Sequence, residues 1–152
     1  MGESIEAIVP KDMILLDKTV TDRDAAIHYL IEEAQKAHLV NDLELMEEAV
    51  LAREEEISTA VGYQVAIPHG KSEAVNRPFI GFLRLKEGML WNESDEVKLV
   101  FLIGVPKDNV DNIHLRFIAQ LSKNLLDEDF RDFISKENSQ DKLYEFFKEI
   151  DF

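Results

Sequence analysis

Residues 97–105 constrain the fold more than any other stretch of the chain. Their sequence, VKLVFLIGV, is nearly continuous in apolar residues and rich in β-branched ones, and Pro106 follows directly. A strand with one solvent-exposed face would alternate apolar and polar residues, so a continuous run is typical of a strand covered on both faces. The stretch therefore predicts a central strand between two covering layers.

Helical and strand patterns alternate along the rest of the chain. Thr21 is a suitable N-cap for a first helix, and residues 43–54 repeat the helical period. Further strands are predicted over residues 64–67 and 79–85, and further helices over residues 111–126, 128–134 and 140–150. The first helix has its apolar positions at Ala26, Ile27, Leu30, Ile31 and Ala34.

These patterns predict an α/β fold with a mixed central β-sheet flanked by helices. Strands 79–85 and 97–105 are too close in sequence for a helical crossover, so some neighbours must be antiparallel. With 152 residues and 45% hydrophobic content, the chain can bury about two-thirds of the surface of its unfolded form. We expect a single layered domain over residues 1–152.

Charge and composition exclude several classes of function. Seventeen basic and 31 acidic residues give a formal charge of −14, which opposes general attraction to nucleic acids or anionic lipids. No apolar stretch approaches the roughly 20 residues that span a bilayer, and no secretory leader is visible, so we expect a cytoplasmic protein without membrane insertion. The absence of cysteine excludes disulfides, thiolate metal sites and a cysteine nucleophile.

His69 stands in the sequence AIPHG, directly after an apolar strand pattern. Pro68 fixes its own φ and keeps the residue before it extended, while glycine at position 70 tolerates backbone angles that other residues avoid. The imidazole is therefore expected to be held in a defined place. An ordinary strand-to-loop turn with an exposed histidine explains the same residues, because Pro and Gly are common at turns.

His114 lies where a helix is predicted to follow the central strand. Ligands of α/β proteins gather beyond the carboxyl ends of strands, so His69 and His114 could face one cleft. An exposed residue at a helix start is the alternative for His114. His28 and His38, on or after the first helix, are expected to have structural or solvent-facing roles.

Arg53, Ser58 and Thr59 precede the strand of His69. Guanidinium and hydroxyl groups are the donors that a phosphoryl group requires. The alternative for Arg53 is a cation at a helix C-terminus, where the helix dipole favours positive charge.

The combination of these residues resembles a known family. Glu54-x6-Val61-Gly62-x2-Val65-Ala66-Ile67-Pro68-His69-Gly70, with Arg53, Ser58-Thr59, LVFLIGVP at 99–106 and His114-Leu115, is similar to the signature of enzyme IIA components of the fructose/mannitol class. These belong to the bacterial phosphoenolpyruvate-dependent sugar phosphotransferase system. Ala60 stands where many members carry glycine.

The resemblance implies a role for each of these residues. His69 is expected to accept a phosphoryl group from phospho-HPr and to pass it to enzyme IIB. Its Nε2 is expected to attack, while Nδ1–H donates a hydrogen bond to a nearby carbonyl. Arg53 and His114 are expected to flank the group, with Thr59 and Ser58 as hydrogen-bond donors. Lys71 could add positive charge, and Tyr63 and Val75 are candidates for partner docking. No metal and no organic cofactor is required.

Two other functions were considered. Nitrogen-linked members of the family regulate protein partners through their phosphorylation state, although Trp91 in a loop between two strands favours the fructose type. A hydrolase could hold a metal with His69, His114 and Asp111. Neither histidine belongs to a short HxH or HExxH pair, so the sequence gives this alternative little support.

Overall fold

The structure, a computed structural model, describes residues 7–108 and 112–152. After a short 3₁₀ turn at Lys11–Met13, one strand is followed by two helices, then by five strands and finally by three helices. The strands are β1 (Ile14–Lys18), β2 (Ala60–Gly62), β3 (Val65–Ala66), β4 (His69–Ser72), β5 (Phe79–Leu90) and β6 (Glu96–Pro106). The helices are α1 (Arg23–Lys36), α2 (Leu43–Glu56), α3 (Ile113–Leu125), α4 (Glu128–Lys136) and α5 (Gln140–Lys148).

The strands form one mixed sheet with β6 near its centre. The order is β1-β5-β6-β3-β2, and β4 also pairs with β6. Strands β5 and β6 are antiparallel, whereas β3 and β4 run parallel to β6. The predicted fold class, a mixed sheet flanked by helices, is confirmed.

Two apolar cores cover the two faces of this sheet. Along β6, Val100 and Leu102 belong to the core beneath α1 and α2, whereas Phe101 and Ile103 belong to the core beneath α3, α4 and α5. Successive residues of a strand point to opposite faces, so a strand buried on both sides must be apolar throughout. This arrangement explains the continuous apolar run, and the five predicted apolar positions of α1 are all buried.

Several predicted boundaries were wrong. Helix α1 is capped by Asp22, whose side chain accepts a hydrogen bond from Ala25 N at 2.8 Å, and not by Thr21. The strand predicted over residues 64–67 is interrupted, because Gln64 lies in a turn with positive φ and Pro68 has no N–H for the sheet. Strand β5 extends to Leu90, and β1, β2 and β4 were not predicted. The predicted start of α3 at residue 111 lies outside the described residues.

The described residues include no helix that is long and apolar enough to cross a membrane.

Arg84, on β5, is a buried cation that the sequence did not reveal. Its guanidinium bonds with the carboxylate of Asp17 at the end of β1, and donates to the carbonyls of Ile134 and Glu137 and to Asn138 Oδ1. Only 2% of the residue is exposed. Arg84 therefore joins the sheet to the connection between α4 and α5.

Replacing Arg84 by methionine is expected to reduce the free energy of unfolding by about 3 kcal/mol, because buried carbonyls lose their donor. Chemical denaturation followed by circular dichroism measures the change. Lys86→Met is the matched control, since Lys86 is exposed on the same strand. Equal stability of the two variants would show that the Arg84 contacts contribute nothing.

Candidate active site

His69 lies in a segment, β3 followed by β4, that runs beside β6. Its pairing with β6 is interrupted at residues 67–68. Val65 pairs with Leu99 and His69 with Ile103, so β3 and β4 keep one register. Between the two strands, the carbonyl of Pro68 accepts a hydrogen bond from the backbone N–H of Ile103 at 3.0 Å. His69 is therefore the first residue of β4, within a continuing segment, whereas the sequence suggested that it follows the end of a strand.

Gly70 is required here for a different reason from the one that the sequence suggested. Its φ is not in the left-handed region. A Cβ built on Gly70 would instead lie 3.1 Å from a side-chain carbon of Val50 and 3.2 Å from the backbone nitrogen of the same residue. The missing side chain thus lets α2 pack closely against β4, directly beside His69.

The imidazole of His69 is oriented by its own backbone. Nδ1 lies 2.9 Å from the carbonyl oxygen of Ile67. Because a carbonyl oxygen only accepts hydrogen bonds, Nδ1 carries the proton of the neutral ring and Nε2 carries the lone pair. Burial and the positive charge of Arg53 lower the pKa of His69, while the Ile67 hydrogen bond and Glu54 oppose this shift without reversing it. The ring is therefore neutral at neutral pH.

Arg53, in the last turn of α2, reaches the same site. Its Nη1 donates to the carbonyl of Ile57 at 2.9 Å, which leaves the other nitrogens of the guanidinium for further contacts. Its charge lowers the pKa of His69, although burial contributes more to that shift. The Ile57 contact fixes the guanidinium at the edge of the cleft.

His114 approaches His69 from the first turn of α3. The two ring centroids are 6.4 Å apart, with 32° between the ring planes. Burial lowers the pKa of His114, and the charge of Lys71 and the proximity of His69 lower it further. Two neutral imidazoles therefore face the same space at neutral pH.

The two predicted hydroxyl donors, Thr59 and Ser58, differ in whether their hydroxyl proton is already used in a hydrogen bond. Thr59 is buried, and its hydroxyl donates to Glu54 Oε1 at 2.6 Å. A hydroxyl has one proton, so Thr59 cannot donate to a ligand in this arrangement. Ser58 Oγ accepts hydrogen bonds from Ala60 N at 3.2 Å and Asn92 Nδ2 at 2.8 Å, and neither contact uses its proton. Ser58 is the hydroxyl available as a donor.

Glu54, Trp91 and Asn92 are parts of this region that sequence reasoning did not assign. The Glu54 carboxylate accepts hydrogen bonds from Thr59 and from the Trp91 indole, and Asn92 holds Ser58. The glutamate belongs to the motif quoted above, but only the fold shows what it contacts. The tryptophan lies more than 30 residues away in sequence, so no local signal connects the two.

One cleft of about 470 Å³ brings the predicted residues together. Two exposed apolar side chains are part of its lining, Val61 and Leu115, of which 45% and 55% is exposed. Its lining consists of Ala49, Arg53, Ser58, Thr59, Val61, Ile67, His69, Gly70, Lys71, His114, Leu115 and Ile118.

The predicted docking residues lie elsewhere. Val75 is 4% exposed and bridges to Val40, so the docking role predicted for it was wrong. Tyr63 is half exposed, and the Arg131 guanidinium lies over its ring at 4.1 Å.

A metal site in this cleft has no support from the described part of the chain. No group of three His, Asp or Glu side chains in that part is arranged to hold a metal ion. Asp111, the third ligand considered for a hydrolase, lies outside the described residues.

Comparison with known proteins identifies the family. Residues 7–150 match the family model described as phosphoenolpyruvate-dependent sugar phosphotransferase system, EIIA 2. The chain belongs to this family. The resemblance that its motifs suggested is confirmed: this EIIA chain is a member of a phosphotransferase family. Its cleft contains His69, the histidine of the family motif.

Relatives of known name agree with this assignment. The fructose-specific EIIA component of Haloferax volcanii is 35% identical over 147 residues, which cover 93% of this chain and 95% of the relative. The crystal structure of IIA mannitol from Escherichia coli matches with a TM-score of 0.76 and 27% identity, covering 91% of this chain and 98% of that one. A complex of enzyme IIAMTL with phosphorylated enzyme IIBMTL from the same organism matches with a TM-score of 0.75 and 27% identity, covering 90% and 94%.

Gly70→Ala in this EIIA chain is expected to cost about 1–3 kcal/mol, because the new methyl group would press on the backbone of α2. The displacement should also move the NMR signals of His69 and Arg53. Gly88→Ala is the control, since the atoms nearest to its methyl group belong to the Glu96 side chain and not to the backbone. Unchanged His69 signals in Gly70→Ala would mean that this close contact does not position the site.

Proposed function

We propose that this chain is a phosphocarrier of a sugar phosphotransferase system, which accepts a phosphoryl group from phospho-HPr on His69 and passes it to enzyme IIB. The observation that supports this most directly is the hydrogen bond from Nδ1 of His69 to the Ile67 carbonyl. It assigns the lone pair of the neutral ring to Nε2. A fixed, unprotonated ring nitrogen is what nucleophilic attack on phosphorus requires.

The function consists of two successive transfers, and each one exchanges a single bond to phosphorus. The Nε2 lone pair of His69 forms a bond to phosphorus while the bond to the donor breaks, and the donor keeps that electron pair. In the second step an acceptor group of IIB attacks the same phosphorus, and the N–P electron pair returns to Nε2. Phosphoryl transfer depends chiefly on in-line positioning and charge stabilisation, and no metal or organic cofactor enters the scheme.

Arg53, His114 and Ser58 are assigned to the phosphoryl oxygens. The guanidinium supplies positive charge, and the His114 ring lies beside the group, with its centroid 6.4 Å from that of the His69 ring. Ser58 supplies the hydroxyl proton that its two contacts leave unused. Lys71, on β4 and at the edge of the cleft, adds a second positive charge.

The surroundings of the cleft suit proteins that bind briefly. The apolar side chains of Val61 and Leu115 are exposed at the cleft, which is open to a partner's reacting group. Weak, transient complexes use interfaces at the small end of the usual range. The formal charge of −14 draws in partners with basic faces and raises association rates, an effect that added salt weakens.

We assign the chain to the fructose class and, because it is proposed to exchange a phosphoryl group with HPr, to the cytoplasm. The support for the fructose class is the name and 35% identity of the Haloferax volcanii relative. The IIB acceptor is supported by the matched complex of IIAMTL with phosphorylated IIBMTL.

The proposal predicts that His69→Ala takes up no phosphate from phosphoenolpyruvate, enzyme I and HPr in a purified mixture, because the accepting nitrogen is missing. Radiolabel on the protein measures this. His38→Asn is the control, since residue 38 is exposed outside the cleft and asparagine tolerates its positive φ. Label found on His114 in the His69→Ala variant would reassign the two roles. A phosphorylated wild-type chain that no IIB can dephosphorylate would instead favour the nitrogen-linked regulatory role.

Ser58→Ala is expected to slow phosphorylation by about tenfold, the effect of one hydrogen bond to a charged group, and to slow it more than Thr59→Val does. Initial rates of label uptake give the comparison. Asn92→Ala disturbs the same loop but keeps the Ser58 hydroxyl. An equal loss of rate in Asn92→Ala and Ser58→Ala would attribute the effect to loop disorder.

A further inference from the structure

We propose that Glu54 is a positioning residue, a proposal that rests on the phosphocarrier function. Its carboxylate fixes residues 58–60 and places a negative charge behind the phosphoryl site. The phosphoryl group on His69 therefore stays easy to transfer.

The carboxylate of Glu54 is buried and takes three hydrogen bonds from two parts of the chain. Only 3% of the residue is exposed. Oε2 accepts from Thr59 N at 2.7 Å and from Trp91 Nε1 at 2.9 Å, and Oε1 accepts from the Thr59 hydroxyl at 2.6 Å. Buried carboxylates are rare unless they are satisfied in this way. Glu54 therefore ties the end of α2 to the segment before β2 and to the β5–β6 connection.

These contacts decide which hydroxyl faces the phosphoryl group. Thr59 gives its only hydroxyl proton to Glu54, whereas the Ser58 proton stays available. The backbone N–H of Thr59 is held by the same carboxylate, which fixes the peptide next to Ser58. Glu54 thus acts on the reaction through the residues that it positions.

The charge of Glu54 also reaches the site. It raises the pKa of His69, against the stronger effect of burial, and it raises the pKa of Arg23 on α1. A phosphoryl group on His69 carries negative charge, so the same carboxylate must repel it. A carrier has to release its group, and Glu54 counteracts a neighbouring arginine that would otherwise hold the group too firmly.

A purely structural role would need no charge at this position. Glutamine has nearly the same shape, and its amide oxygen can accept from Thr59 N and Trp91 Nε1. Its NH₂ group can donate to the Thr59 hydroxyl oxygen, which then changes from donor to acceptor. Glu54→Gln therefore removes the charge while preserving a complete set of hydrogen bonds.

Glu56→Gln is the matched control, because Glu56 ends the same helix, carries the same charge and is exposed. Among the residues that the structure describes, the charged and titratable groups around His69 are Arg53 and Glu54 on α2, Lys71 on β4 and His114 on α3. All of them except Glu54 are retained in both variants. A difference between the variants therefore reports the Glu54 charge together with the Thr59 hydroxyl proton that the carboxylate holds.

The first measurement is the NMR titration of the His69 ring, which needs no partner protein. The pKa of His69 should be lower in Glu54→Gln than in the wild type, since the carboxylate that raises it is gone. It should be unchanged in Glu56→Gln. An unchanged pKa in Glu54→Gln overturns the proposal whether or not the chain is a phosphocarrier, so this failure is distinct from failure of the proposed function.

The second measurement is the equilibrium of phosphoryl exchange with HPr. Loss of the repelling charge should shift it toward the phosphorylated chain by about tenfold, the equivalent of one pKa unit, and should slow transfer to IIB. A shift of less than twofold, or the same shift in Glu56→Gln, contradicts the electrostatic role.

If Glu54→Gln does not fold, Trp91→Phe provides a second test of the proposal. This variant removes one donor to Glu54 and retains the carboxylate charge. The His69 pKa and the exchange equilibrium should stay at their wild-type values. A tenfold shift of that equilibrium in Trp91→Phe would show that the hydrogen bonds, and not the charge, are responsible, and would overturn the proposal.

Discussion

The hydrogen bond between Nδ1 of His69 and the carbonyl of Ile67 is the contact on which the chemistry of the site depends. It exists because Pro68 interrupts the pairing of an edge segment with β6 while the register on either side stays the same. The Ile67 carbonyl is thereby used by the ring two residues later. Backbone atoms of a sheet, which are among the most rigid parts of a protein, thus set the orientation and tautomer of the imidazole.

The rigidity of that segment comes from both faces of the sheet. On one face α2 packs so closely on β4 that position 70 has no room for a side chain. On the other, α3 brings His114 to within 6.4 Å of His69, measured between ring centroids. The cleft is therefore formed where two helical layers reach one sheet edge, and its reactive ring needs no mobile loop to be held in place.

Sequence patterns were sufficient to predict the elements in which every residue, or every residue of one face, is buried. The strand around Phe101 and the apolar face of α1 follow directly from residue spacing, and the motif around His69 identified the family. The contacts of Thr59 and the role of Gly70 could not be derived, because each depends on an element that is distant in sequence: Glu54 with Trp91 for the first, and α2 for the second. Asp22 and Thr21 are both good N-caps, and only the backbone conformation distinguishes them.

In the proposed carrier, opposite charges from adjacent residues of α2 allow a shallow site both to accept and to release a phosphoryl group. Arg53 attracts the group from the edge of the cleft, while Glu54, buried behind Thr59, repels it. Arginine alone would deepen the energy minimum of the phosphorylated state and slow the second transfer. A carboxylate alone would oppose the first. Because transfer in both directions is fastest when neither phosphorylated partner is strongly favoured, the pair suits a carrier better than a stronger anion site would.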